Sequence, residues 1–241
     1  MIENISIILP ARNEAINLKS IIPALLQKYD KNILEIIVIN DCSSDDTNTV
    51  VDYLQKKHSK LHIYHRHQKP GVGLAVKYGI DKISQQAKYV LFMDSDFLIN
   101  ISDIAKFLGN FDGLDGIVGS RFMNKESLEH YPLYKYIANR AYQWLAKIFL
   151  GVKHSDLTNN FKLYKKSLVM KIYPHLTASD FAFNAQLGFY PVLMGAKIGQ
   201  VPVRWRERTK QMGISKFKIL KVGPSYAKVL LQLLSFRIKK S

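Results

Sequence analysis

The sequence predicts an α/β fold: a Rossmann-like, mostly parallel central sheet with helices on both faces, followed by a C-terminal basic amphipathic helix. Three observations predict it. Short apolar runs alternate with amphipathic segments of helix length through the first half of the chain. Polar, acid-rich loops follow those runs, where open parallel sheets present their functional groups. The 241 residues are 47% hydrophobic, enough for one such core with a small appendage.

Taken in order, residues 5–9 read as a strand, and 14–29 as a helix with apolar positions at Ile16, Leu18, Ile21, Ile22, Leu25 and Leu26. A second strand covers 35–40. The cap-rich turn 41–47 then feeds a helix to about Lys57. Residues 61–65 form a third strand, 74–86 a helix and 89–93 a fourth strand. Strands joined by helices of this length imply right-handed crossovers in a parallel sheet. The second half is less regular. Residues 117–119, 161–164 and 197–203 read as strands, and 134–150, 181–194 and 217–237 as helices. With no internal repeat or linker, the division expected is a catalytic domain over 1–215 and a basic amphipathic helix over 216–241 that can serve as a membrane-surface anchor.

Bulk properties narrow the setting. One cysteine, Cys42, excludes a disulfide framework and fits a reducing compartment. The run at 5–10 is too short for a secretion signal, and no stretch of about 18 apolar residues exists to span a bilayer. The net charge of +16 calls for an anionic partner: nucleic acid, a phosphorylated small molecule or an anionic membrane surface. Between Arg204 and Lys221, seven basic residues stand against the single acid Glu207.

The chemistry concentrates in three loops at strand ends. Pro10-Ala11-Arg12-Asn13-Glu14 follows the first strand, 40–47 the second, and Asp94-Ser95-Asp96 the fourth. In a parallel sheet these carboxyl ends share one edge, so their side chains can surround one ligand. Two carboxylates one residue apart repel unless a cation lies between them, and oxygen-only ligands suit Mg²⁺ or Mn²⁺, the ions that accompany phosphates. Asp41 can accept from base N–H groups, of uracil or guanine alike. Gly71-Val72-Gly73 at a helix start would let backbone approach a nucleotide closely.

These pieces together resemble the family 2 glycosyltransferases of the GT-A fold, most of all the branch of dolichyl-phosphate mannose synthases and polyprenyl-phosphate glycosyltransferases. The matching segments run in the family's order: Ile8 to Glu14; Asn40-Asp41 with Ser43, Asp45 and Thr47; Gly71 to Ala75; Met93 to Asp96; Gly119-Ser120-Arg121; Asp156 with Asn160 to Tyr164; Val201-Pro202-Val203; Arg208; and Gly213-Ile214-Ser215-Lys216. The resemblance implies an inverting, metal-dependent transfer of a sugar, mannose from GDP-mannose foremost, to dolichyl or polyprenyl phosphate. It implies donor binding by Pro10, Ala11, Arg12, Glu14, Asp41, Gly73 and Asp94, and Mn or Mg held by Asp94 and Asp96. Arg121, Ser215 and Lys216 would bind the acceptor phosphate. Asp94, Asp96, Arg121 and Arg208 are the catalytic candidates. Such an enzyme is expected in the cytoplasm, peripheral at the cytoplasmic face of a membrane.

The chain departs from the family pattern in places. Asn40 stands where an aspartate is usual, and Leu98 where a glutamine often follows the metal acids. Two extra residues separate Arg208 from Gly213, and Asn159-Asn160 replaces a smaller pair. A phosphate acceptor is already ionised near neutral pH and needs no protein base. Gln186, in a region where relatives acting on hydroxyls carry an acid, agrees with that, while Asp180 keeps a hydroxyl acceptor open. UDP-glucose is the alternative donor. A nucleic-acid-binding module is the distant alternative; it explains the charge but not the acidic loops, and no base-reading motif is present, so no nucleic-acid partner is expected. His58, His62, His65 and His67 match no tight zinc spacing. Tyr131, Tyr134, Tyr136, Tyr142, Trp144 and Phe149 are expected in the core and its cover, with a membrane interface as the other place for such aromatics.

Overall fold

The computed structural model describes residues 2–124, 127–206 and 219–240. The first half alternates as expected: β1 (Ile5–Ala11), α1 (Ala15–Tyr29), β2 (Ile33–Asp41), α2 (Thr47–Lys57), β3 (Leu61–Arg66), α3 (Val72–Ile80) and β4 (Tyr89–Phe92). A 3-10 turn, Leu98–Asp103, then leads to α4 (Ile104–Gly109), β5 (Gly116–Ser120) and the two-residue β6 (Leu128–Glu129). Next come α5 (Leu133–Leu150), β7 (Lys162–Lys165), α6 (Lys166–Ile172), α7 (Phe183–Leu193), β8 (Ile198–Pro202), β9 (Trp205–Arg206) and α8 (Ile219–Lys240).

Seven strands form the central sheet in the order β3-β2-β1-β4-β7-β5-β8. All neighbours are parallel except β7, which runs antiparallel to both β4 and β5. Strand side chains alternate between the two faces, and the burial follows. Ile5, Ile7, Leu9, Ile36, Val38 and Leu91 join the core beneath α1 and α2, while Ile8, Val90 and Phe92 join the core beneath α6 and α7. Both faces are covered, so β1 and β2 read as nearly unbroken apolar runs. The strand order reverses between β1 and β4. Their loops diverge there and open a crevice, as topological switch points do in open α/β sheets.

Two expectations need correcting. The helix expected over 74–86 ends at Ile80, because the backbone beyond it has other partners: Ser84 N–H donates to Glu35 Oε1 at 2.8 Å, and Lys166 Nζ donates to Ser84 O at 2.9 Å. The aromatics of α5 are not core for the most part. Tyr142 packs edge-on against Tyr226 and Phe189, but Trp144 is 61% exposed and Tyr134 58%. The apolar side of α8 is packed against protein: Val229 and Leu233 are buried in the cluster that holds Leu150 and Phe189. Two of its basic residues cap neighbouring helices, Arg237 on Phe149 O at 2.6 Å and Lys240 on Leu193 O at 2.8 Å, where the helix dipole favours a cation. Among the described residues no helix is long and apolar enough to cross a membrane.

Candidate active site

The crevice at the switch point is the mouth of a cavity of about 880 Å³. Its first wall comes from the β1 and β2 loops: Pro10, Ala11, Arg12, Glu14 and Asp41. These two loops are stitched together. Asn13 takes the left-handed conformation (φ 56°), its N–H donates to Ser43 Oγ at 2.9 Å, and its Oδ1 accepts from Ser44 N–H at 2.8 Å. Glu14 N–H donates to Thr47 Oγ1 at 2.9 Å. The serines and threonine of the second loop therefore hold the first loop in shape.

Asp41 is 3% exposed and its carboxylate is spoken for on both sides. Arg66, at the end of β3, ion-pairs with Oδ1, and Gly71 N–H donates to Oδ2 at 2.7 Å. The glycines of the 71–73 turn serve packing. A side chain on Gly73 would meet Ala178 O at 2.3 Å, and Gly73 N–H donates to Ser179 O at 3.1 Å. Gly71 lines the cavity, whereas Gly73 is not among its lining residues, and the close approach that Gly73 allows is to the 178–179 backbone.

The acidic tripeptide forms the floor. Ser95 Oγ donates to Pro10 O at 2.5 Å, tying it to the first loop, and Asn160 Nδ2 donates to Asp94 Oδ1 at 2.7 Å. Asp94 and Asp96 both line the cavity. No group of three His, Cys, Asp or Glu able to hold a metal occurs among the described residues, the histidines of 58–67 included. A divalent ion nevertheless fits the donors present. Asn160 Oδ1 is buried without a hydrogen-bond partner on the side chain that bonds Asp94, so hard oxygen donors converge here and a diphosphate and water can complete the shell.

Arg121 follows β5 and is clamped by Asp156: Nε to Oδ2 at 2.7 Å and Nη2 to Oδ1 at 3.0 Å. Asp156 is fully buried. Burial opposes the charge on each partner, and the ion pair more than reverses it, raising Arg121 above the usual arginine range and holding Asp156 below the usual carboxylate range. The pair holds the Arg121 guanidinium in a fixed orientation at the cavity wall. Beside it Lys162 is wholly buried and donates to Asn159 O. Burial pushes its pKa down to about 7, against the attraction of Asp156 and Asp94.

Beyond Arg121 the cavity changes character. Its far wall comes from Ala138, Tyr142 and Leu145 of α5 and Val222, Ala227 and Leu230 of α8, with Lys135 and Trp205 near the turn. Asn139 Oδ1, Tyr142 Oη and Asn184 Oδ1 are buried here without partners among the described residues, although all three residues line the cavity. Buried acceptors left unmade cost about 1–3 kcal/mol each, so a bound ligand is the fitting partner for them. Asp180 also lines the cavity, and its Oδ1 accepts from Ala182 N–H at 3.0 Å and Ser225 Oγ at 2.8 Å. Gln186 does not reach the cavity. It is fully buried, its Oε1 accepting from the N–H groups of Thr177 and Ala178 and its Nε2 donating to Gln232, so its identity reflects packing.

Of the residues expected at the site, Pro10, Ala11, Arg12, Glu14, Asp41, Asp94, Asp96 and Arg121 line this one cavity. Arg208, Ser215 and Lys216 lie outside the described residues. Sequence reasoning missed Arg66, Asn139 and Asn184. The available signal was asparagine in apolar helices, a residue that helix interiors disfavour. Cys42, also left-handed (φ 56°), donates its thiol to Gln68 O at 2.6 Å and belongs to the loop's backbone.

Comparisons with known proteins agree with this geometry. The profile of Glycosyl transferase family 2 matches residues 6–173. The chain is 27% identical over 216 residues to polyprenol monophosphomannose synthase of Mycolicibacterium smegmatis, covering 87% of this chain and 79% of that protein. It is 25% identical over 227 residues to dolichyl-phosphate beta-glucosyltransferase of Saccharomyces cerevisiae, covering 84% and 67%. Among solved structures, glucosyl-3-phosphoglycerate synthase of Mycobacterium tuberculosis in complex with Mn²⁺, UDP and glucosyl-3-phosphoglycerate superposes with a TM-score of 0.71. It is 20% identical, and the match covers 97% of this chain and 80% of that one, a likeness of GT-A fold.

Proposed function

The chain belongs to glycosyl transferase family 2 and is a glycosyltransferase, and from that premise we propose that it moves a sugar from a nucleotide diphosphate donor onto the phosphate of a polyprenyl or dolichyl lipid, with inversion at the anomeric carbon. The observation that carries the acceptor reading is the change along a single cavity, from carboxylates and Arg121 at one end to the apolar sides of α5 and α8 at the other. A phosphate with an apolar tail matches that sequence of surfaces; a free sugar hydroxyl does not.

Under this reading Pro10, Ala11, Arg12 and Glu14 hold the nucleoside, and Asp41, fixed by Arg66 and Gly71, accepts an N–H from the base. Asp94 and Asp96 would hold Mn²⁺ or Mg²⁺, which neutralises charge on the departing diphosphate when bound. Arg121 meets the acceptor phosphate with a charge that Asp156 keeps oriented, so little reorganisation is needed as charge develops. Arg208, Ser215 and Lys216 complete the phosphate-binding set. The acceptor oxygen is ionised already, and no side chain has to remove a proton from it. The enzyme works peripherally, at the cytoplasmic face of a membrane that supplies the lipid.

The relatives carry mannose in one case and glucose in the other, so GDP-mannose is the first donor to test and UDP-glucose the second. The test is a donor-by-acceptor assay with Mn²⁺ or Mg²⁺, a short polyprenyl phosphate and a panel of labelled nucleotide sugars. Label in the lipid extract that vanishes with EDTA and with Asp96→Ala supports the reading and names the sugar. Silence across the panel with nucleotide sugar still bound moves the acceptor to a hydroxyl.

A further inference from the structure

We infer that Asn139 and Asn184 read the hydroxyl groups of the transferred sugar and so set which sugar the enzyme accepts. The side-chain oxygens of both, and the hydroxyl of Tyr142, are buried at the cavity without a partner among the described residues. Asn184 as a whole is only 7% exposed. Hydrogen bonding fixes which end of the Asn139 amide faces a ligand. The ionised Asp156 can only accept, so the Thr158 hydroxyl gives its proton to Asp156 Oδ1 at 3.2 Å. Thr158 Oγ1 must then accept from Asn139 Nδ2, 2.8 Å away, which leaves Asn139 Oδ1 as the free end.

Position narrows the ligand. Asn139 is joined through Thr158 to Asp156, the clamp on Arg121, and so stands where the polar and apolar parts of the cavity meet. Tyr142, one turn further along α5, packs edge-on against Tyr226, whose hydroxyl donates to Phe181 O in the turn that opens α7. Asn184 lies in the first turn of α7. The backbone just before that turn, at 178–179, touches Gly71 and Gly73 and so borders the donor end as well.

Chemistry narrows it further. An amide oxygen needs a donor, and neither an ionised phosphate nor a lipid tail offers one. The nucleoside has its place on the β1 loop and Asp41, across the cavity from α5. Sugar hydroxyls are the donor groups left in the reaction. A site with buried acceptors set for hydroxyls rejects analogues that lack them, because each acceptor is then left unmade. The inference rests on transfer from a nucleotide sugar and not on the identity of the acceptor.

The test is calorimetric titration with Mn²⁺ and no acceptor, using UDP, UDP-glucose, GDP and GDP-mannose. Fluorinated versions of the tighter-bound donor follow, one sugar hydroxyl replaced at a time; fluorine cannot donate. In the wild type the sugar should tighten binding over the bare nucleotide, and at least one analogue should bind about tenfold more weakly than its parent. Asn184→Leu and Asn139→Leu should each lose a similar factor on the parent donor, bind a matching analogue as well as the parent, and keep the Kd for the bare nucleotide. Asn184→Asp, which retains an acceptor, should restore the discrimination.

The inference is overturned by a wild type that binds every analogue as tightly as the parent, or the nucleotide sugar no more tightly than its nucleotide. Neither result needs a substitution, so a variant that fails to fold does not shield the inference. It is overturned also by leucine variants that leave the nucleotide-sugar Kd unchanged, or that weaken the bare nucleotide equally, which makes the asparagines structural. Absence of any nucleotide binding removes the donor premise and the inference with it. An enzyme that proves inactive on polyprenyl phosphate leaves these binding results standing, since no acceptor is present.

Discussion

At the carboxylate end of the cavity, where the proposed function puts the donor, the lining comes from loops at the carboxyl ends of β1, β2 and β4, whereas at the apolar end, proposed for the acceptor, it comes from the sides of α5, α7 and α8. The carboxylate end is braced loop to loop: Asn13 bonds Ser44, Glu14 bonds Thr47, and Ser95 bonds Pro10, so each loop is held by another. The acceptor end has few such braces. Its asparagine and tyrosine acceptors have no partner among the described residues, and Val229 and Leu233 pack farther out. Under the proposed function the difference means that chemistry is preorganised where the leaving group would depart, while the tail end needs only room and apolar surface.

Substitutions can break that contrast or sharpen it. The largest effect belongs to the floor: Asp94→Ala or Asp96→Ala should lower kcat/KM by about 10³ or more, with the urea midpoint nearly unchanged. A comparable loss from a cavity-filling change at the far end would end the comparison. Next, Asp156→Ala strands the buried Arg121 charge and should lower stability by about 3–5 kcal/mol, read by urea denaturation. Gly73→Ala forces a Cβ against the Ala178 carbonyl and should cost about 1–3 kcal/mol of stability, with the donor Kd unchanged by titration once the protein is folded. At the acceptor end, Ala227→Phe should raise the KM for polyprenyl phosphate about tenfold and leave the donor KM alone.

The smallest effect is a slope with pH. The unfolded chain keeps the Lys162 proton up to about 10, while the folded chain releases it near 7. Unfolding therefore takes up a proton between those values, and stability rises with pH across that window by roughly 1 kcal/mol per unit. Comparing urea midpoints of wild type and Lys162→Met at pH 7 and 9 checks it; the variant should show the rise reduced.

The same contrast explains what could be read in the sequence. Alternating apolar runs and cap-rich loops are local signals, so β1 to β4, the acidic tripeptide and the first-loop residues were legible. The direction of β7 was not, because four residues carry no mark of whether they run parallel or antiparallel to β4. Gly73 looked like a ligand-facing turn because a glycine spacing is the same whether a nucleotide or the 178–179 backbone comes close. The end of α3 escaped because Asp81 to Gln86 contains no glycine or proline; what stops the helix is a glutamate far back in β2. The aromatic content of α5 was visible, but its outward orientation depends on where α8 lies. The bond from Ser225 of α8 to Asp180, in the turn before α7, joins residues 45 positions apart and leaves no local trace.

The inserted antiparallel strand also bears on synthesis. β7 fills the gap between β4 and β5, yet it follows both in the chain. A nascent chain that has already paired β1, β2, β3 and β4 carries β4 as a bare sheet edge until Lys162–Lys165 leaves the ribosome, about 70 residues later. An apolar edge of Val90, Leu91 and Phe92 is a template for joining a neighbouring nascent chain. Slowing translation between residues 93 and 165 should thus favour aggregation over folding, and chaperone demand during synthesis should fall once β7 has emerged.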